Sequence, residues 1–264
     1  MTFTHALLLG LLQGLTEFLP VSSSGHLVIA QHFLPGFDQP GLAFDIMLHL
    51  GTMIAVLLYF RREVGLMLVS PLRQGPEART YRKMLGLILL ASVPTALIGL
   101  GFKDFFEGLF ENLQLVAVML LVTGVLLFLA ERFRRPGRKE GQLTISDALV
   151  VGTVQGLAII PGISRSGSTI STLLLKGVDG ETAARFSFLL ALPAVFGAAL
   201  LSLRDLQQVA TAEIPMYLVG AGTAFLVGMV SIHCLLAVVR RKRLIGFAIY
   251  CWLVGTGVLT LTSL

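Results

Sequence analysis

Residues 13–26 read Q-G-L-T-E-F-L-P-V-S-S-S-G-H, so a carboxylate, three consecutive hydroxyls and an imidazole fall within one short segment. Gln13 and Glu17 are four apart and share a face of any helix that contains them. Pro20 ends that helix, Ser22, Ser23, Ser24 and Gly25 lead into the next, and His26 falls in its first turn. A second stretch, P-G-I-S-R-S-G-S-T from Pro161 to Thr169, opens another helix and sets Arg165 at its start. A helix N-terminus flanked by small residues is an anion site, and a guanidinium offers a planar fork suited to phosphate oxygens. The chemistry this set suits is phosphoryl transfer. Arg165 with Ser164, Ser166, Thr169 and Gly162 would hold a phosphate, and Gln13, Ser22 and Ser24 would line the other side. Glu17 would position or activate the nucleophile, and His26 would pass a proton. Water, Ser23 and His26 itself are the alternative nucleophiles, which spacing does not rank.

These polar groups lie in a chain built for lipid. Of 264 residues 55% are hydrophobic and 13% charged, and the mean hydropathy is +0.85, which excludes a single soluble core. The net charge of +5 and pI of about 9.6 do not indicate nucleic acid, because the basic residues lie in short runs between apolar spans. Cys234 and Cys251 sit in apolar stretches without CxxC spacing and read as packing residues. The first residues, M-T-F-T-H, contain no Lys or Arg, and Gln13 and Glu17 interrupt the apolar run, so the segment is expected to stay in the mature protein rather than leave as a signal peptide. His5, His32, His49 and His233 lack a motif and read as structural or interfacial. A lone serine in a membrane helix ordinarily packs or bonds a neighbouring helix, whereas a guanidinium at membrane depth needs a partner. Glu17 is the partner expected for Arg165 in an empty site.

Six stretches are long enough to span: 44–60, 84–101, 113–130, 186–203, 216–239 and 244–261. Two apolar segments, 4–19 and 147–160, would be only about 20–24 Å long as helices, short of the roughly 30 Å hydrocarbon core. Each is followed by a Pro, a Ser/Gly cluster and a second short apolar helix, 26–34 or 169–175, the pattern of a re-entrant hairpin. Basic charge alternates across the spans, with six Lys or Arg in 61–83, one in 103–111 and five in 132–140, while 204–213 is not basic and 240–243 is R-R-K-R. The positive-inside rule then puts the basic loops in the cytoplasm and both termini outside. An ungapped shift of 142 residues lays A-L-L-L-G-L-L-Q-G-L over A-L-V-V-G-T-V-Q-G-L and S-S-S-G-H-L over S-R-S-G-S-T. One hairpin plus three spans is an odd number of crossings, so the second copy is expected upside down, with the tips meeting near the midplane. The expected fold is therefore all-α: one membrane domain over 1–264, six transmembrane helices and two re-entrant helical hairpins, in an inverted-topology repeat of about 1–135 and 143–264. The glutamine recurs as Gln155, which gives it a structural reading as a bond to the neighbouring hairpin, whereas Glu17 is replaced by Ile159.

The two polar stretches closely resemble the signature motifs of the bacterial undecaprenyl-pyrophosphate phosphatase family of the bacitracin-resistance type. Gln13 and Glu17 satisfy (E/Q)xxxE, and 161–169 satisfies PGxSRSxxT throughout. The resemblance covers essentially the whole chain. It implies hydrolysis of undecaprenyl diphosphate to the monophosphate, carrier recycling for cell-wall polymers, bacitracin resistance and a multi-pass location in the bacterial cytoplasmic (inner) membrane. It also implies roles for Glu17, Ser23, His26, Ser164, Arg165 and Thr169 and a Mg²⁺ or Ca²⁺ cofactor. The partners expected are an isoprenoid lipid and the bilayer, with a homodimer admitted and nucleic acid not. The type-2 phosphatidic acid phosphatases also pair an S-G-H with an S-R element, but they need a His where this chain has Ser171 and a Lys where it has Phe128. A lipid-carrier flippase is the non-enzymatic alternative, since broken helices at the midplane also build alternating access.

Overall fold

The structure, a computed structural model, describes residues 1–37, 42–134, 137–202, 209–241 and 243–263. It is helical throughout these residues apart from turns and one isolated bridge between Arg138 and Val178. The helices are α1 (Phe3–Thr16), α2 (Ser23–Phe33), α3 (Leu42–Tyr59), α4 (Arg61–Val69), α5 (Pro76–Gly101), α6 (Lys103–Leu109), α7 (Leu113–Arg132), α8 (Ile145–Leu157), α9 (Arg165–Leu175), α10 (Gly180–Leu201), α11 (Ile214–Arg240) and α12 (Ile245–Thr262). Among them α5, α7, α10, α11 and α12 are long and apolar enough to cross a bilayer, and the pair Ala43–Tyr59 and Arg61–Leu72, bent by 75°, makes a sixth if counted as one span. Large apolar side chains stay exposed along the long helices, among them Leu97 on α5, Leu226 on α11 and Leu253 on α12. Only hydrocarbon is a fitting solvent for that surface. The chain is a multi-pass membrane protein.

Several boundaries differ from the sequence expectation, among them that of α10, which starts at Gly180 rather than at residue 186 because Asp179 caps it. The basic stretch after residue 60 is largely helical: α4 turns away at the bend, and α5 starts at Pro76 rather than at residue 84. Proline suits a first helical position, and Arg82 closes the turn before it by donating to the carbonyls of Ser70 (2.8 Å) and Arg73 (2.7 Å). Helix α9 starts at Arg165 rather than Thr169, because Ser164 caps it, so most of the second motif lies in helix. Arg135, Pro136, residues 203–208 and Lys242 lie outside the described residues, and the loop charges expected there with them.

The short helices are seated by glycines. A Cβ on Gly10 of α1 would run into the carbonyl of Gly220 on α11, and one on Gly152 of α8 into the carbonyl of Ala91 on α5. Gly14 against Val227 and Gly156 against Ile98 repeat the fit one turn on, so backbones meet through small residues as in membrane helix pairs. The offset of 142 residues carries Gly10 and Gly14 onto Gly152 and Gly156, and Ser23–Phe33 onto Arg165–Leu175. With α1 and α8 held this way, the segments after them are brought to one place.

Candidate active site

The tips that follow α1 and α8 touch. A Cβ on Gly25 would lie 3.0 Å from Gly162 Cα, and one on Gly167 would lie 3.2 Å from Pro20. Gly162 turns the second tip with φ +92°, a left-handed backbone open to glycine. Thr123 of α7 pins that turn, donating to the Gly162 carbonyl (2.9 Å) and accepting from the Ser164 N–H (3.0 Å). In the first tip Ser22 takes a positive φ of 70°, alone among the described non-glycine residues. Its Oγ accepts from the Gly25 N–H (3.2 Å), lies 3.3 Å from Ser24 Oγ, and donates across the junction to the Ile163 carbonyl (3.3 Å). Ser164 caps α9 in the same manner, accepting from the Gly167 N–H (3.0 Å), while Ser166 Oγ returns across the junction to the Leu19 carbonyl (3.3 Å). The serines thus stitch the tips together. The N–H groups of Ser23 and Ser24, and of Arg165 and Ser166, have no partner among the described hydrogen bonds, so two helix N-termini present donors at the same junction.

Glu17 is buried at the centre of this junction. Its Oε1 accepts from Arg165 Nη2 of the opposite tip at 2.5 Å. Its Oε2 accepts from Ser23 Oγ at 2.6 Å and from Gln13 Nε2 at 2.9 Å, and His49 Nε2 of α3 lies 3.5 Å away. A carboxylate so far from water is tenable only with a cation and donors on it. Behind Arg165, Thr169 Oγ1 donates to the Arg165 carbonyl (2.8 Å) and lies 2.6 Å from Ser187 Oγ of α10, whose carbonyl accepts from Arg165 Nη1 (3.3 Å).

The sequence-predicted residues therefore fall into four groups. Gln13, Glu17, Ser23 and Arg165 form one hydrogen-bonded cluster, and Ser22, Ser24, Gly162, Ser164 and Ser166 form the junction around it. Thr169 stands behind Arg165. His26 does not bond Glu17: its Nδ1 lies 2.7 Å from the Ser22 carbonyl and its Nε2 2.9 Å from the Tyr250 hydroxyl of α12. Neither glutamine bonds the neighbouring hairpin. Four-residue spacing puts the Gln13 amide on Glu17, and Gln155 Nε2 reaches Thr95 Oγ1 (3.3 Å) and the Leu190 carbonyl (3.4 Å).

Ser187, Thr123 and Tyr250 went unread in the sequence, and His49, read there as structural or interfacial, lies beside Glu17. For His49 a signal existed: Asp45 and His49 are four apart within an apolar span and share a face. His49 Nδ1 donates to the Asp45 carbonyl (2.8 Å), which aims Nε2 at Glu17, and the Asp45 carboxylate accepts from Gln31 (2.7 Å). No group of three or more His, Cys, Asp or Glu suited to a metal occurs among the described residues. Beside the serine hydroxyls, the oxygens at the junction suited to a cation are those of the Glu17 carboxylate and Gln13 Oε1, which is buried without a partner.

The family model of the bacitracin resistance protein BacA matches residues 6–257. A protein of Syntrophotalea carbinolica named undecaprenyl-diphosphatase is 63% identical over 97% of both chains. Proteins of the same name from Desulforapulum autotrophicum and Carboxydothermus hydrogenoformans are each 44% identical, covering 97% and 98% of this chain and 96% and 97% of their own.

Proposed function

The chain belongs to the bacitracin resistance protein BacA family, and from that premise we propose that it is an undecaprenyl-diphosphatase of the bacterial cytoplasmic (inner) membrane. It hydrolyses undecaprenyl diphosphate to undecaprenyl phosphate and inorganic phosphate, which returns the lipid carrier to cell-wall polymer synthesis and confers bacitracin resistance. The observation that carries this reading is the Glu17 carboxylate with the Ser23 hydroxyl on one oxygen and the Arg165 guanidinium of the opposite tip on the other. A base, a nucleophile and a phosphate holder then share one buried point, where fixed charges act strongly.

In the mechanism we propose, the terminal phosphate displaces Glu17 from Arg165 and takes the guanidinium, together with the free N–H groups of both helix starts. Glu17, released from its cation, accepts the Ser23 proton. The Oγ–P bond forms as the bridging O–P bond breaks, and the electron pair leaves on undecaprenyl phosphate. Glu17 then gives up that proton, with His26 serving the transfer, takes one from the water that attacks the phosphoserine, and returns it to Ser23 Oγ as the Oγ–P bond breaks and phosphate leaves. Glu17 and the unpartnered Gln13 Oε1 would hold a Mg²⁺ or Ca²⁺ ion. When bound, that ion would supply charge neutralisation for the diphosphate.

Phosphate release from an isoprenyl diphosphate by purified protein in detergent tests the activity. A flippase needs two compartments and would release none. Trapping of phosphate on Ser23 supports the serine as nucleophile, and single-turnover hydrolysis by Ser23→Ala at an unchanged rate would assign the attack to water. We also propose that the halves are inverted copies with both termini outside. Support comes from the exchange of long helices between halves, α1 seated on α11 and α8 on α5.

A further inference from the structure

We propose that Tyr250 is a positioning residue for the phosphatase reaction, acting through His26 from the lipid-facing helix α12. Ser22 holds the left-handed backbone that aims its carbonyl at His26, and that oxygen accepts both the His26 N–H (3.1 Å) and the ring Nδ1 (2.7 Å). A carbonyl only accepts, so Nδ1 carries a proton, and in the neutral ring Nε2 is the bare nitrogen, which faces Tyr250. Tyr250 meets that lone pair: its hydroxyl lies 2.9 Å from Nε2, and the two rings are 7° from parallel with centroids 5.6 Å apart. His26 is therefore fixed at both nitrogens, to its own hairpin and to a helix 224 residues away.

The tyrosine is itself held in place. At the start of α12 the Glu131 carboxylate accepts from the N–H groups of Leu244 and Ile245. The two residues after Tyr250 also hold the helix: Cys251 Sγ lies 3.9 Å from the Pro20 carbonyl of the first tip, and Trp252 Nε1 donates to the Leu121 carbonyl of α7 (3.2 Å). Yet Tyr250 is 41% exposed beside Ile249 and Leu253, which face hydrocarbon. The hydroxyl thus caps the catalytic imidazole on the side from which a headgroup attached to an isoprenoid chain approaches. It keeps Nε2 in one orientation until the diphosphate arrives, and its hydrogen bond is the one a substrate oxygen or a transferred proton must replace.

This inference rests on the reading of His26 as the proton-transfer group, and a double-mutant cycle separates the two. Tyr250→Phe keeps the ring and its packing. It should lower kcat about tenfold, the scale of one hydrogen bond to a working group, with KM within about twofold of the parent. In a His26→Ala background the same change should cost nothing further, since the residue through which it acts is gone. An equal loss in both backgrounds, or parental kcat in Tyr250→Phe, overturns the role of Tyr250 while leaving that of His26 intact. Parental turnover in His26→Ala alone removes both. Histidine ¹⁵N spectra of the folded variants give a second readout: Tyr250→Phe should shift the His26 Nε2 resonance, and an unmoved resonance counts against the contact.

Discussion

The two hairpins share a frame and differ in what the frame carries. Serine caps at 22 and 164 and glycine pairs at 10 and 14 or 152 and 156 recur at one offset. At the chemical positions the same offset pairs Glu17 with Ile159, Ser23 with Arg165 and His26 with Ser168. One hairpin supplies the carboxylate, the hydroxyl and the imidazole, and the other supplies the cation. Two carboxylates facing each other at such depth would repel, and so would two guanidiniums. In the proposed mechanism, divergence between the copies gives a junction that holds an anion on one side and deprotonates a nucleophile on the other.

If that division is right, the largest loss follows removal of the charge found in one copy only. Glu17→Gln keeps the shape and the bonds to Gln13 and Ser23, yet it should lower kcat by at least about a hundredfold, as loss of a general base does. A smaller drop would make the carboxylate a structural partner of Arg165. Arg165→Lys should come next, with a loss of about ten- to a hundredfold, because an ammonium cannot keep Glu17 and the Ser187 carbonyl together or grip a phosphate bidentately. Near-parental phosphate release in that variant would take the second hairpin out of substrate binding.

The glutamine recurs in both copies alongside the serine caps, and it measures how far the roles have parted. Gln13 bonds the Glu17 carboxylate and leaves its own oxygen buried without a partner, whereas Gln155 ties α8 to α5 and α10. Gln13→Ala should lower kcat/KM about tenfold, less than Glu17→Gln, by releasing one bond to Glu17. Gln155→Ala should leave kcat/KM within about twofold and lower the thermal midpoint instead. Equal activity losses from the two would mean that the copies work as a symmetric pair.

Much of this was legible in the chain because the breaks announce themselves. Proline and Ser/Gly clusters interrupt apolar runs too short to span, and the residues that cap a tip lie beside it in sequence, so Glu17, Ser23 and Arg165 could be named before any contact was known. The supporting partners could not. Tyr250 meets His26 across 224 residues and Thr123 pins Ser164 across 41, relations that only tertiary packing creates, in helices whose composition says no more than lipid. Hydropathy also hid α4 and the first turns of α5, where charged residues form helix at the membrane edge.

The smallest effect is expected where the second copy has lost its chemistry altogether. Ser168 stands where the first copy has His26, yet its hydroxyl is buried without a hydrogen-bond partner, and its backbone carbonyl serves only Thr172 one turn on. A buried hydroxyl with no partner contributes desolvation without return. Ser168→Ala should therefore keep kcat and KM within about twofold of the parent and hold or raise the thermal midpoint, with a stability gain of up to about 1 kcal/mol. His26→Ala, measured alongside, is the contrast, because there the loss should fall on turnover. A Ser168→Ala enzyme that loses about tenfold or more in kcat while remaining folded would mean that this hydroxyl handles protons or water for the reaction, and the second hairpin would then be a working partner in the chemistry rather than the holder of one arginine.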